Sequence, residues 1–173
     1  MKKTLFITVL FCLAFSVPVF SETEKYDSLK PESRIILSES WVETGKGFLE
    51  NQKMKDAKAC FLYANELYPM GTNATEARKL LKDNFKVNLS YNPEKQFKYF
   101  VKRAENYKKD IDKQLNNYLM ALEINQDKEI LYKTAVLFFK QDNKEKAKEF
   151  LLKAVAAGLE KSKVDANLAG MLE

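Results

Sequence analysis

The chain has 173 residues, with 29 Lys and Arg against 24 Asp and Glu, no histidine, and a net charge of +5 at pH 7. So small a basic surplus makes no case for nucleic acid as a partner, and the missing histidine removes Ser-His-Asp and Cys-His catalysis and most zinc sites. Five glycines, four prolines and no sustained apolar/polar alternation predict an all-α chain built from good helix formers.

Lys2 and Lys3 precede an apolar and small-residue run, Thr4 to Phe20, that is long for a signal-peptide core and short for a membrane span. Val19 and Ser21 are small enough for cleavage before Glu22. Residues 1–21 are expected to be a bacterial-type secretory signal peptide. An uncleaved anchor is the alternative, which bulky Phe20 favours and which is the one route to membrane contact. Phe11 precedes Cys12 where lipoprotein processing needs a small residue, so no lipid anchor is expected. Loss of residues 1–21 takes away two lysines and no acids and brings the net charge to +3. It leaves enough chain for one compact core. Cys60 is then the sole cysteine, expected to be a buried small hydrophobe with no disulfide partner.

Residues 22–31 read as a flexible polar leader. Pro31 opens a first helix running to about Glu50, with Ile35, Ile36, Trp41, Phe48 and Leu49 on its apolar stripe. Asn51-Gln52 turns the chain into a second helix, about Lys55 to Tyr68, burying Ala57, Phe61, Ala64 and Leu67 before Pro69 stops it. Asn73-Ala-Thr-Glu76 has the form of a capping box and opens a third helix with Ala77, Leu80, Leu81 and Phe85. After a connector, Asn92-Pro93, Asp110 and Asp127 open three more, and Asp142-Asn143 turns the chain into a further one. Gly158 stops the last of these, and a short amphipathic segment with Val164, Leu168 and Met171 closes the chain.

A period of 34 residues runs through this pattern. Phe97, Phe100, Val101 and Ala104 recur 34 later as Leu131, Thr134, Ala135 and Phe138, and Tyr118 and Ala121 recur 33 later as Leu151 and Ala154. The one-residue slip implies a longer turn in the earlier unit. Small residues (Gly45, Ala57, Ala64, Ala135, Ala147, Ala154) let helix axes approach, and large ones (Trp41, Phe48, Phe61, Phe138, Leu151) fill the gaps. With Pro69, these positions resemble the tetratricopeptide (TPR) repeat family. The matching units are 38–71, 94–127 and 128–161. Thr44 stands at a usual leucine, Gln114 at an alanine, Gln126 and Leu159 at the proline. Residues 72–93 break the frame as an extra helix and connector, and 162–173 form a cap. The resemblance implies an α-solenoid of helical hairpins, about seven helices plus a short capping helix. Leu67 to Leu81 also resembles a segment of periplasmic repeat proteins of outer-membrane assembly and Tol-Pal systems.

No chemistry competes with that reading. No Ser-x-x-Lys occurs, Thr44-Gly45-Lys46-Gly47 lacks the upstream glycine of a phosphate loop, and no acidic cluster has calcium-loop spacing. No cofactor, metal or catalytic residue is expected, and the sequons at Asn73 and Asn88 carry no role in a bacterial chain. The lysine-rich stretch holding Lys95, Lys98, Lys102, Arg103, Lys108, Lys109 and Lys113 interleaves with Phe97, Tyr99, Phe100 and Tyr107. It is a candidate for binding acidic protein, anionic lipid headgroups or cell-wall polymer, or else a solvated face whose aromatics belong to the core. The family resemblance implies peptide binding on the face of each first helix, placing Val42, Lys46 and Leu49 there, joined by Tyr132, Val136, Phe139 and Lys140. The terminal segment is the alternative cover for that strip. The expected function is an exported, non-catalytic scaffold that docks a protein or peptide in the cell envelope, with a carrier of a hydrophobic ligand or lipid as the alternative.

Overall fold

The computed structural model describes residues 26–172, and the expected signal peptide lies outside them. Among the described residues every regular element is helical. The long helices are α1 (Pro31–Glu50), α2 (Met54–Leu67), α3 (Thr72–Phe85), α4 (Pro93–Asn106), α5 (Ile111–Leu122), α6 (Lys128–Lys140) and α7 (Lys144–Ala156). A short α8 (Ala166–Ala169) follows, flanked by single 3-10 turns at Lys161–Lys163 and Gly170–Leu172.

Local side-chain chemistry starts four of these helices. Asn92, Asp110, Asp127 and Asn143 each accept a backbone N–H from the first turn of the helix they open. The expected capping box does not form. Gly71 holds the cap position, Thr72 is already helical and no side chain caps the end. Arg78 explains the early start: it donates to the Pro69 carbonyl and to Asn65 Oδ1, both at 2.8 Å, and pins the bend so tightly that α3 begins at once.

Helices pack in pairs: α1 on α2, α4 on α5, α6 on α7. α3 packs against α2 and α1, and α5 against α6. The first and third pairs share one turn, ninety residues apart in sequence. In the first, Gln52 takes a left-handed φ of 59°, with Lys53 N–H on the Phe48 carbonyl at 2.8 Å. In the third, Asp142 has φ 57° and Asn143 N–H bonds the Phe138 carbonyl at 2.9 Å. The middle pair turns through residues 107–110, one residue longer than 51–53 or 141–143.

Apolar packing forms two clusters. Val42, Ala57, Phe61, Ala64, Ala77 and Leu81 fill the one shared by α1, α2 and α3. A larger cluster runs from Phe100 through α5, α6 and α7 to Val164 and Leu168. Ala57, Phe61, Ala64, Ala135, Ala147, Leu151 and Ala154 are wholly buried, Phe138 and Pro69 are buried, and Trp41 and Phe48 lie half-buried on the first cluster. The Trp41 and Tyr63 rings sit 5.4 Å apart. At Gly45 a Cβ would stand 2.5 Å from the Phe61 ring, so this approach of α1 to α2 requires glycine. Cys60 is buried and unbridged.

The first half of α1 departs from its predicted stripe. Its inward residues are Arg34, Ser38, Val42 and Gly45, while Ile35 and Leu37 are 37% exposed and Ile36 66%. Polar contacts set this rotation. Ser38 Oγ donates to the Ala64 carbonyl at 2.8 Å, and Arg34 reaches Asp27. The described part of the expected flexible leader is likewise anchored, with Asp27 only 1% exposed.

Between the ends of α2 and α5, the Tyr68 hydroxyl donates to Glu123 Oε2 at 3.1 Å. Burial, then the Glu123 charge and hydrogen bond, push its phenol up to about 12. An unfolded phenol ionises near ~10, so the folded state holds a proton that the unfolded chain loses. Tyr68 thus contributes stability in full below about pH 10, and the contribution fades as pH rises towards 12. The gap in urea midpoint between the unaltered chain and Tyr68→Phe is expected to shrink between about pH 9 and about pH 11. A constant gap contradicts the assignment.

Candidate functional site

The residues that the family resemblance implied for a binding face do not form one surface. Val42 is 1% exposed and shares the first cluster with Ala77 and Leu81 of α3, so it offers nothing to a partner. Lys46 is tied to Glu43 at 2.7 Å and to Glu76 of α3 at 2.6 Å, and those bonds raise its pKa. Leu49 lies half-buried on the same cluster. The helix outside the repeat frame covers the side of α1 where the groove was expected. Tyr132, Val136 and Phe139 belong to the other cluster. The Tyr132 hydroxyl accepts the Asp165 N–H at 2.9 Å, and Val164 and Leu168 are buried beside it, so the terminal segment covers this end of the strip. Lys140 is exposed.

The lysine-rich stretch divides in two. Lys95, Lys98, Tyr99 and Lys102 stand exposed on one face of α4, at the i, i+3, i+4, i+7 spacing that brings helical side chains together. Lys98 pairs with Glu94 at 2.6 Å. Tyr99 is 42% exposed and borders an open hollow of about 200 Å³ with Asn65, Glu66, Pro69 and Gln96. Lys108 and Lys109 line a second open hollow of about 600 Å³ at the α4–α5 turn. Phe97 and Phe100 turn into the core. Lys113 rests 5.3 Å from the Tyr107 ring centre and 3.5 Å from Asp110.

Arg103 turns inward instead and forms the most highly organised polar group of the described chain. Its Nε lies 2.8 and 2.7 Å from the two Asp27 carboxylate oxygens, and a terminal nitrogen lies 2.6 Å from Oδ2. Tyr107 donates to Oδ2 at 2.5 Å, and Arg34 stands 3.5 Å from Oδ1. Asn116 Nδ2 donates to the Asp27 carbonyl at 3.1 Å, and Arg34 Nε to that of Leu29 at 3.2 Å. Burial alone would raise the Asp27 pKa, but the bonds from Arg103 and Tyr107, the Arg103 charge and Asn117 outweigh it and hold the carboxyl below its ordinary value. Burial works against the Arg103 charge too, and Asp27 more than compensates. Arg34, more deeply enclosed, has its pKa lowered by burial despite Asp27.

Sequence reasoning did not find this network. Its signals were Arg34 ahead of Ile35-Ile36-Leu37 and Asn116-Asn117 between Leu115 and Tyr118, polar residues inside apolar runs. Among the described residues no group of three or more His, Cys, Asp or Glu is placed to hold a metal ion, and no helix is long and apolar enough to cross a membrane. The geometry joins α1, α4 and α5 through one buried aspartate and sets a basic aromatic face beside it. No family model, curated protein or solved structure matches the chain.

Proposed function

We propose that this chain is an exported helical-repeat scaffold of the tetratricopeptide type, which docks a protein partner in the bacterial cell envelope and performs no catalysis. The observation that carries the reading is the repeated hairpin. Gly45 with Phe61 in the first pair and Ala135 with Leu151 in the third occupy matching places, ninety residues apart, under the same left-handed turn. Stacked pairs of this kind bury their cores against neighbours and leave long faces for docking. With Val42 buried and Lys46 committed to Glu43 and Glu76, the face of α4 carrying Lys95, Tyr99 and Lys102 is the better docking surface. An exposed aromatic among cations suits an acidic partner.

The test is capture from bacterial envelope extract by the unaltered chain and by the triple variant Lys95→Glu, Tyr99→Ala, Lys102→Glu. These residues lie outside both cores, so the variant should keep its helical circular dichroism. A protein retained by the unaltered chain, weakened by salt and reduced at least about tenfold by the variant is the expected result. Equal capture by both chains moves the docking surface elsewhere, and no specific capture at any salt concentration contradicts the scaffold reading.

A further inference from the structure

Two exposed helix faces of this chain match each other in spacing and oppose each other in charge. On α1, Glu32, Ile35, Ile36 and Glu39 are exposed at i, i+3, i+4, i+7, turned away from buried Arg34 and Ser38. On α4, Lys95, Lys98, Tyr99 and Lys102 are exposed at the same spacing. One face begins and ends in acids, the other in lysines, and seven residues of helix set each end pair about 10 Å apart. Between the ends stand apolar groups. Ile36, at 66%, is the most exposed large apolar side chain of the described residues, and Tyr99 is 42% exposed. The bonds of Arg34 and Ser38 fix the rotation of α1, so Ile35 and Ile36 are left without cover from their own chain. The outer charges are likewise uncommitted. Among the described residues no ion pair engages Glu32, Glu39, Lys95 or Lys102, whereas Glu43 and Lys98 on the same helices are paired within the chain.

We infer that the Glu32–Ile35–Ile36–Glu39 face of one copy docks on the Lys95–Lys98–Tyr99–Lys102 face of a second copy of this chain. Laid along each other in either direction, the two faces bring both outer acids to both outer lysines. Ile35 and Ile36 then cover Tyr99 and the alkyl stem of Lys98. The contact is heterologous. Each copy of a pair keeps one unused face, so association runs head to tail. The self-contact uses the α4 face of the docking reading but goes beyond it, and a second copy seated there competes with any other acidic partner. Two faces of two helical turns each make a weak, salt-sensitive contact, populated at high local concentration.

Analytical ultracentrifugation of the chain beginning at Glu22 tests the contact. At low salt the weight-average mass should rise at least about 1.5-fold between about 10 μM and about 1 mM, and fall back to the monomer in ~0.5 M salt. Two variants carry the charge test: Glu32→Lys with Glu39→Lys, and Lys95→Glu with Lys102→Glu. All four positions are exposed, so both variants should keep their helical circular dichroism, and each alone should stay monomeric. Mixed, they set an unaltered α1 face against an unaltered α4 face, and association should return. Adding Ile36→Ser to both should weaken the mixed complex at least about fivefold, an effect that attraction between unlike net charges would not show. A monomer at every concentration overturns the self-contact and leaves the α4 face to another partner. Self-association that either variant retains in full, a mixture no more associated than its parts, or one indifferent to Ile36→Ser overturns it as well. None of these results alters the envelope-capture outcome, and failed capture leaves the sedimentation result standing.

Discussion

Asp27→Ala is expected to cost about 3–5 kcal/mol of unfolding free energy, the range for removing one partner from a buried ion pair. At the ~2–4 °C per kcal/mol usual for a chain of this size, the thermal midpoint should fall by about 6–20 °C. The cost arises from what remains. Arg34 and Arg103 would face each other with their shared carboxylate gone, and Tyr107 would lose its bond to Oδ2, while the Asn116 bond to the main chain stays. The effect carries a pH signature. The folded carboxyl lies below the unfolded value of ~3.9, so Asp27 contributes in full above that value and its contribution fades as pH falls through the folded pKa. The unaltered and Asp27→Ala chains should therefore differ most near neutrality and converge in acid. Urea unfolding across that range checks both the size and the trend.

Phe61→Ala is expected to cost a similar ~3–5 kcal/mol for a different reason. Phe61 is fully buried, touches the position of Gly45 and lies 6.4 Å, ring centre to ring centre, from Phe85 of α3. Its removal opens a void where α1, α2 and α3 meet, and helices with their own turns and caps can close over that void only in part. The loss should be equal in acid and at neutrality, which separates it from the Asp27 effect in the same urea series.

The helices were legible where local chemistry decides them. Pro31, Asn92, Asp110, Asp127 and the Asp142-Asn143 pair announce helix starts within one turn, and the fold uses all five, with Asn143 as the capping member of the pair. The inward residues at the repeat spacing were also legible, because Ala57, Phe61 and Ala64 face α1 at i, i+4, i+7 whatever lies beyond the hairpin. What escaped depends on distant chain. Asn73 loses its cap role because Arg78 fixes the preceding bend from across the turn. Val42 and Lys46 lose theirs because α3, outside the repeat frame, packs where the implied groove would open. Asp27 sits 76 residues from Arg103 and 89 from Asn116, and no spacing rule connects them.

The central proposal is that the first and third hairpins are one packing unit built twice, with Gly45 against Phe61 in one and Ala135 and Leu151 at the matching positions of the other. A double-mutant cycle at Gly45 and Phe61 tests it directly. On helix propensity alone Gly45→Ala should stabilise α1 by ~1 kcal/mol. The Phe61 ring 2.5 Å from the new Cβ reverses the sign, to a loss of ~1–3 kcal/mol. Combining it with Phe61→Leu installs the pair present at Ala135 and Leu151, and the double variant should be more stable than Gly45→Ala alone, with a coupling of at least ~1 kcal/mol. Additive effects, or a Gly45→Ala chain as stable as the unaltered one, would contradict the shared unit and the scaffold built on it.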